Sequence, residues 1–138
     1  MAFLEKQLEI KESSIPGAGL GLFTKEFIKK GSRIVEYKGR IRTWKEVEDH
    51  YDNFYIFFVT EDHVIDSKRY KSSFARYIND AQGFRKIKGL INNAEFVKDG
   101  LRVYVDAKKD IAAGSEIFVG YGKEYWQVLR KNQKIDTT

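Results

Sequence analysis

A chain of 138 residues, 42% hydrophobic and 33% charged, is long enough for one domain with its own core. Its 25 basic and 20 acidic residues leave a formal charge of +5, which suits a nucleic-acid partner, yet the basic pairs are interleaved with acids and read first as solvated surface. The absence of cysteine excludes disulfides, thiolate zinc sites and cysteine nucleophiles, and His50 and His63 as the only histidines weigh against a histidine metal centre, so no metal is expected. No apolar run approaches the roughly 20 residues that span a bilayer. MAFLEKQLEIKES lacks a signal-peptide pattern, which makes a cytoplasmic protein with no membrane partner the expectation.

In chain order, KQLEIK (6–11) alternates apolar and polar residues as a strand does. GAGLGLF (17–23) carries Gly17, Gly19 and Gly21 at every second position, so its backbone must turn tightly or approach something closely. A dinucleotide fingerprint would need G-x-G-x-x-G opening a helix, and a phosphate loop would need a lysine and a hydroxyl. Neither fits, because the spacing is G-x-G-x-G and a second strand follows over 19–27. KKGS then turns the chain into RIVEYKG (33–39). Thr43 and Glu46 have capping-box spacing, and Trp44, Val47 and Tyr51 recur at helical intervals, predicting a helix over 44–51. FYIFFV (54–59) and HVID (63–66) form a hairpin across TED. LRVYVDA (101–107) and EIFV (116–119) complete the strands, and KEYWQVLRK suggests a C-terminal helix or tail over 123–138. The expectation is a single mainly β domain over 1–138, with short strands and a few short helices.

The glycine loop has companions: EYKG (36–39), VID (64–66), ARYINDA (75–81), NNAEF (92–96) and AAGSEIFVGYG (112–122). In this order they resemble the SET-domain family of protein-lysine methyltransferases, which use S-adenosylmethionine, over roughly residues 8–126. Each motif is weak singly, but five in order at workable spacing are specific. The resemblance implies a SET fold of several short β-sheets around a threaded C-terminal segment. It implies transfer of a methyl group from S-adenosylmethionine to the ε-amine of a lysine in a protein substrate, leaving S-adenosylhomocysteine.

Carried over position by position, the resemblance assigns the cofactor to the backbone of Ala18, Gly19 and Leu20, to Arg76, Tyr77, Ile78, Asn79 and Asp80, and to Trp126 or its neighbour Tyr125. It makes Tyr121 the catalytic tyrosine and Tyr37 a tyrosine of the lysine channel. Tyr55, with other aromatics of 54–58, and Phe96 and Val119 then line that channel. Neither Phe96 nor Val119 carries a hydroxyl, which favours dimethylation or beyond. The family's Asn-His-Ser reads Asn79-Asp80-Ala81 here, so Asp80 would meet the cofactor through its oxygens or offer only its backbone. The stretch DAQGFRKIKGLIN between Asn79 and Asn93 is longer than in many members, and Arg40 stands where glutamate is common. No cysteine follows Tyr121, so a zinc-bound segment there is missing and KEYWQVLRK would close the channel.

A narrow aromatic channel disfavours an ammonium by desolvation, which matters because a free lysine has a pKa near about 10.4. Glu46, Glu48, Asp49 and Asp52 form an acidic stretch that would attract a basic protein tail, such as that of a DNA-associated protein. Arg85, Lys86 and Lys88 would meet nucleic acid or a second subunit, so a homodimer is compatible with the sequence. The small size without accessory segments points to a bacterial or viral type. Two other readings stay open: a module that binds S-adenosylmethionine or protein without transfer, and a small basic β domain that binds nucleic acid with aromatics as stacking platforms.

Overall fold

The computed structural model describes residues 3–50, 53, 55–82 and 88–121. Among the described residues, eight strands form three small antiparallel sheets with little helix. β1 (Leu8–Glu12) pairs with β2 (Leu20–Thr24), bringing Leu8 opposite Thr24 and Glu12 opposite Leu20. β3 (Arg33–Glu36) forms one edge of a second sheet, in the order β3-β8-β7. β4 (Arg40–Arg42) is the edge of a third, ordered β4-β6-β5.

Within RIVEYKG only Arg33–Glu36 is strand, and β4 begins just beyond it at Arg40. The break falls at Tyr37–Gly39, where the chain leaves one sheet for another. A Cβ on Gly39 would lie 2.5 Å from the Asp66 carbonyl oxygen and 2.8 Å from the Ser67 nitrogen, so glycine lets the two backbones cross. The Ser67 hydroxyl donates to the Lys38 carbonyl at 2.8 Å and secures the crossing.

The capping box forms as expected: Thr43 accepts from the Glu46 amide while the Glu46 carboxylate accepts from the Thr43 amide at 2.9 Å. The helix it opens, α1 (Trp44–Val47), is a single turn and not the longer helix predicted. The hairpin is also real, as β5 (Ile56–Thr60) and β6 (His63–Asp66) turn through Glu61 and Asp62.

β7 (Ala94–Asp99) lies inside and beyond NNAEF, where no strand was expected. Its Glu95, Lys98 and Asp99 are poor strand formers, tolerated because β7 is an edge strand. β8 (Arg102–Ala107) is the strand expected from LRVYVDA; it is central, and Val103, Tyr104 and Val105 are all buried. Tyr104 is covered by the Phe3 ring, with centroids 5.7 Å apart, and by the Arg33 guanidinium at 4.1 Å.

EIFV (116–119) is not a strand of any sheet. It meets three partners singly: Glu116 bridges Phe23, Phe118 bridges Asn79, and Val119 bridges Ala94. This threaded segment closes the core, in which Leu22, Ile34, Val103, Val105, Ile117 and Val119 are fully buried. The predicted C-terminal helix lies outside the described residues. Among those described, no helix is long and apolar enough to cross a membrane, and no cluster of His, Asp or Glu could hold a metal.

Candidate active site

The segments that resembled family motifs converge where the threaded chain ends. The Tyr121 hydroxyl donates to the Ile78 carbonyl. A carbonyl can only accept, so this phenol is held as the protonated donor and its lone pairs face elsewhere. The Tyr121 amide donates to Asp80 Oδ2 at 2.9 Å. The other oxygen, Asp80 Oδ1, accepts from the Gln82 amide at 2.8 Å and from Asn92 Nδ2 at 3.0 Å. Asn92 in turn accepts from the Ala81 amide at 2.8 Å. Asp80 is buried, with both oxygens turned into the protein. It therefore ties its own turn to Asn92 and to the distant Tyr121, and fixes the backbone that carries Tyr121.

An aromatic enclosure adjoins Tyr121. Phe96 stacks on it at 6.3 Å between centroids and also meets Phe57 at 5.0 Å and Tyr37 at 5.9 Å. Tyr37 and Phe57 close the group at 5.7 Å, and the Tyr37 hydroxyl donates to the Tyr55 carbonyl at 2.7 Å. Tyr55 thus contributes its carbonyl here, while its ring carries the Arg76 guanidinium at 4.2 Å. Val119 sits fully buried in the core beneath, its amide donating to the Asn79 carbonyl at 3.0 Å. Phe57 was hidden in an aromatic run where sequence alone gave no reason to prefer it to its neighbours.

On the far side of Asn79 lies the glycine loop. Asn79 Nδ2 donates to the Leu20 carbonyl at 3.0 Å, which pins the loop to ARYINDA. Ala18, Gly19 and Leu20 are exposed, and Gly19, at φ +78°, would present a Cβ to open space. Gly21 differs: a Cβ there would overlap the Glu116 carboxylate. Glu116 is buried and accepts from the Ser13 hydroxyl and the Ser14 amide, both at 2.7 Å. It staples the start of the loop to the threaded segment, a role the sequence did not disclose because Ser13 is 103 residues away. Asn93 likewise has a role that its motif alone does not disclose. It donates to the Glu116 carbonyl at 3.0 Å and accepts from the Phe118 amide at 2.9 Å.

Arg76 lies between Tyr55 and Tyr77, 5.1 Å from the latter ring, and its Nε and Nη1 are buried without a partner among the described residues. The Tyr77 hydroxyl donates to the Lys71 carbonyl at 3.0 Å. Trp126 and Tyr125 lie outside the described residues, as does most of the basic loop with Arg85 and Lys86. Asn79 thus joins the exposed glycine turn to the segment whose Ile78 carbonyl holds the Tyr121 hydroxyl.

The SET domain family model matches residues 19–122. The chain belongs to the SET-domain family. It is 31% identical over 113 residues to PR domain zinc finger protein 14 of Mus musculus, covering 79% of this chain and 19% of that protein. It is 29% identical over 125 residues to the histone-lysine N-methyltransferase, H3 lysine-4 specific, of Schizosaccharomyces pombe, covering 85% of this chain and 13% of that one. The chain thus spans about a fifth or less of these two relatives. The methyltransferase domain of human PR domain-containing protein 2 superposes with a TM-score of 0.64 at 20% identity, over 84% of this chain and 77% of that domain. The fold is that of a SET domain.

Proposed function

We propose that this SET domain transfers a methyl group from S-adenosylmethionine to the ε-amine of a lysine in a protein substrate. The observation that carries the proposal is the placement of Tyr121, whose hydroxyl is aimed by the Ile78 carbonyl beside the aromatic group of Tyr37, Phe57 and Phe96. Family membership and the loop pinned by Asn79 support the same reading. When bound, S-adenosylmethionine supplies an electrophilic methyl on a positively charged sulfur.

This chain's residues do the rest. Backbone at Ala18–Leu20 and the side chains of Asn79 and Arg76 hold the cofactor's amino-acid end. The rings of Tyr37, Phe57 and Phe96 strip water from the incoming lysine and favour its neutral amine. The Tyr121 hydroxyl already donates to Ile78, so it offers lone pairs to orient the amine or the methyl hydrogens. With S-adenosylmethionine held there, its methyl would pass to the lysine nitrogen, its sulfur would keep the C–S electron pair, and the surplus amine proton would leave to solvent. Asp80 acts through Tyr121 and is a positioning residue. Phe96 brings no hydroxyl to the enclosure, which favours products beyond monomethyl-lysine; mass spectrometry of the product counts the methyl groups.

The test is transfer of labelled methyl from S-adenosylmethionine into a mixed protein extract, with Tyr121→Phe beside the wild type. A labelled band that weakens about 10²-fold in the variant is expected, the loss a mispositioned reacting group brings. Retained cofactor binding with no label from the wild type would overturn transfer and leave a binding module.

A further inference from the structure

β4 presents two different surfaces. Its register puts Arg40 opposite Asp66, Ile41 opposite Ile65 and Arg42 opposite Val64, so the arginines share one face and Ile41 takes the other. Ile41 and Ile65 line a cleft of about 520 Å³ that reaches Tyr37. Arg40 and Arg42 line a separate cleft of about 370 Å³ with His50, Lys68, Arg69 and Tyr70. Tyr70 lines both clefts and is their shared wall.

The second cleft is strongly cationic. Among the described residues that line it, Asp66 is the one carboxylate, and its oxygens accept from Asn53 Nδ2 at 2.9 Å, the Lys68 amide at 3.1 Å and Arg42 Nη1 at 3.2 Å. It therefore balances Arg42. Arg40 and Arg69 are exposed and make no ion pair among the described residues. Glu46, the acid outside the cleft that feels Arg42 and Arg40, is held below the usual carboxylate range first by its bonds to Thr43. A charged edge strand also discourages sheet-to-sheet pairing, which would account for Arg40 and Arg42. It does not account for Lys68, Arg69 and Tyr70, which arrive from a different segment.

We propose that this cleft binds the sugar–phosphate backbone of a single-stranded nucleic acid, with Tyr70 as the stacking face for a base. Guanidinium forks match phosphate oxygens in pairs. Tyr70 is 43% exposed, and its backbone is held by turns from Ser67 (3.0 Å) and to Ser73 (2.9 Å). An acidic peptide would use the same cations but would gain little from an exposed ring. Where the methyltransferase reading holds, the shared Tyr70 wall places a nucleic-acid-borne substrate next to the cleft that reaches Tyr37. The binding itself does not rest on that reading.

Fluorescence anisotropy with a labelled single-stranded oligonucleotide tests this without any methylation readout. The wild type should bind with an affinity that falls steeply with salt. Arg40→Ser with Arg69→Ser should weaken binding at least tenfold and flatten the salt slope by about 0.7 for each phosphate no longer neutralised. Tyr70→Ala should weaken binding roughly tenfold at an unchanged slope, and Tyr70→Phe should restore it. Thermal melts of the exposed-arginine variant check its folding, and a wild-type melting temperature is expected. Wild-type affinity in the double variant would overturn the proposal, as would displacement by a polyglutamate peptide as effective as unlabelled oligonucleotide.

Discussion

Asp80 and Asp66 are both buried aspartates whose oxygens are taken up by protein donors, but they hold different kinds of structure. Asp66 works locally: Asn53, Lys68 and Arg42 all belong to the β4-β6-β5 sheet or its immediate turns. Asp80 works across the chain, and the partners seen for it are neutral donors from Gln82, Asn92 and Tyr121. The local bracket braces a sheet with an aromatic face and a cationic face. The long-range bracket assembles the site itself. A carboxylate where the family places Asn-His-Ser thus holds the Tyr121 backbone.

The contrast can be broken at several points. Asp80→Ala should have the largest effect, because it strands the Tyr121 and Gln82 amides and Asn92 Nδ2; a stability loss of about 3 kcal/mol or more in urea unfolding is expected. Asp80→Asn keeps the volume but sets an NH₂ group against a donor, and should lose methyl transfer more than stability. Gly39→Ala should follow, at about 2 kcal/mol, since the Asp66–Ser67 backbone that its Cβ meets has little room to yield.

Asp66→Asn sharpens the comparison through pH. Burial alone would raise the Asp66 carboxyl, but the bonds from Asn53, Lys68 and Arg42 outweigh it and hold the group below its usual range. The unfolded chain therefore binds its proton more readily than the native one. Asp66's contribution is complete above an unfolded value near about 3.9 and is lost as pH falls through the lower native value. Wild-type melting temperature should fall along that acid limb, and the fall should be shallower in Asp66→Asn. The smallest effect should come from Thr43→Ala, about 1 kcal/mol by chemical unfolding, because it removes one cap from a single-turn helix.

Local features were the legible ones. The hairpin of β5 and β6 was readable from a β-branched and aromatic run on each side of a polar turn, and the capping box from Thr43 and Glu46 alone. Length was less readable: nothing in WKEVEDHY says that one turn suffices before the chain must rejoin the sheet. β7 escaped because edge strands tolerate charges. The motifs marked where the site would be, but not what holds it. Asp80 meets Tyr121 across 41 residues, and Glu116 meets Ser13 across 103, and no periodicity carries such pairings.

We propose that the glycine loop, ARYINDA and Tyr121 form one site for S-adenosylmethionine. Calorimetric titration of S-adenosylhomocysteine into the wild type, Asn79→Ala and Tyr121→Phe tests it most directly. One-site binding in the wild type, kept in Tyr121→Phe and weakened at least tenfold in Asn79→Ala, is the predicted result. No binding to the folded wild type, or equal binding to Asn79→Ala, would contradict the account.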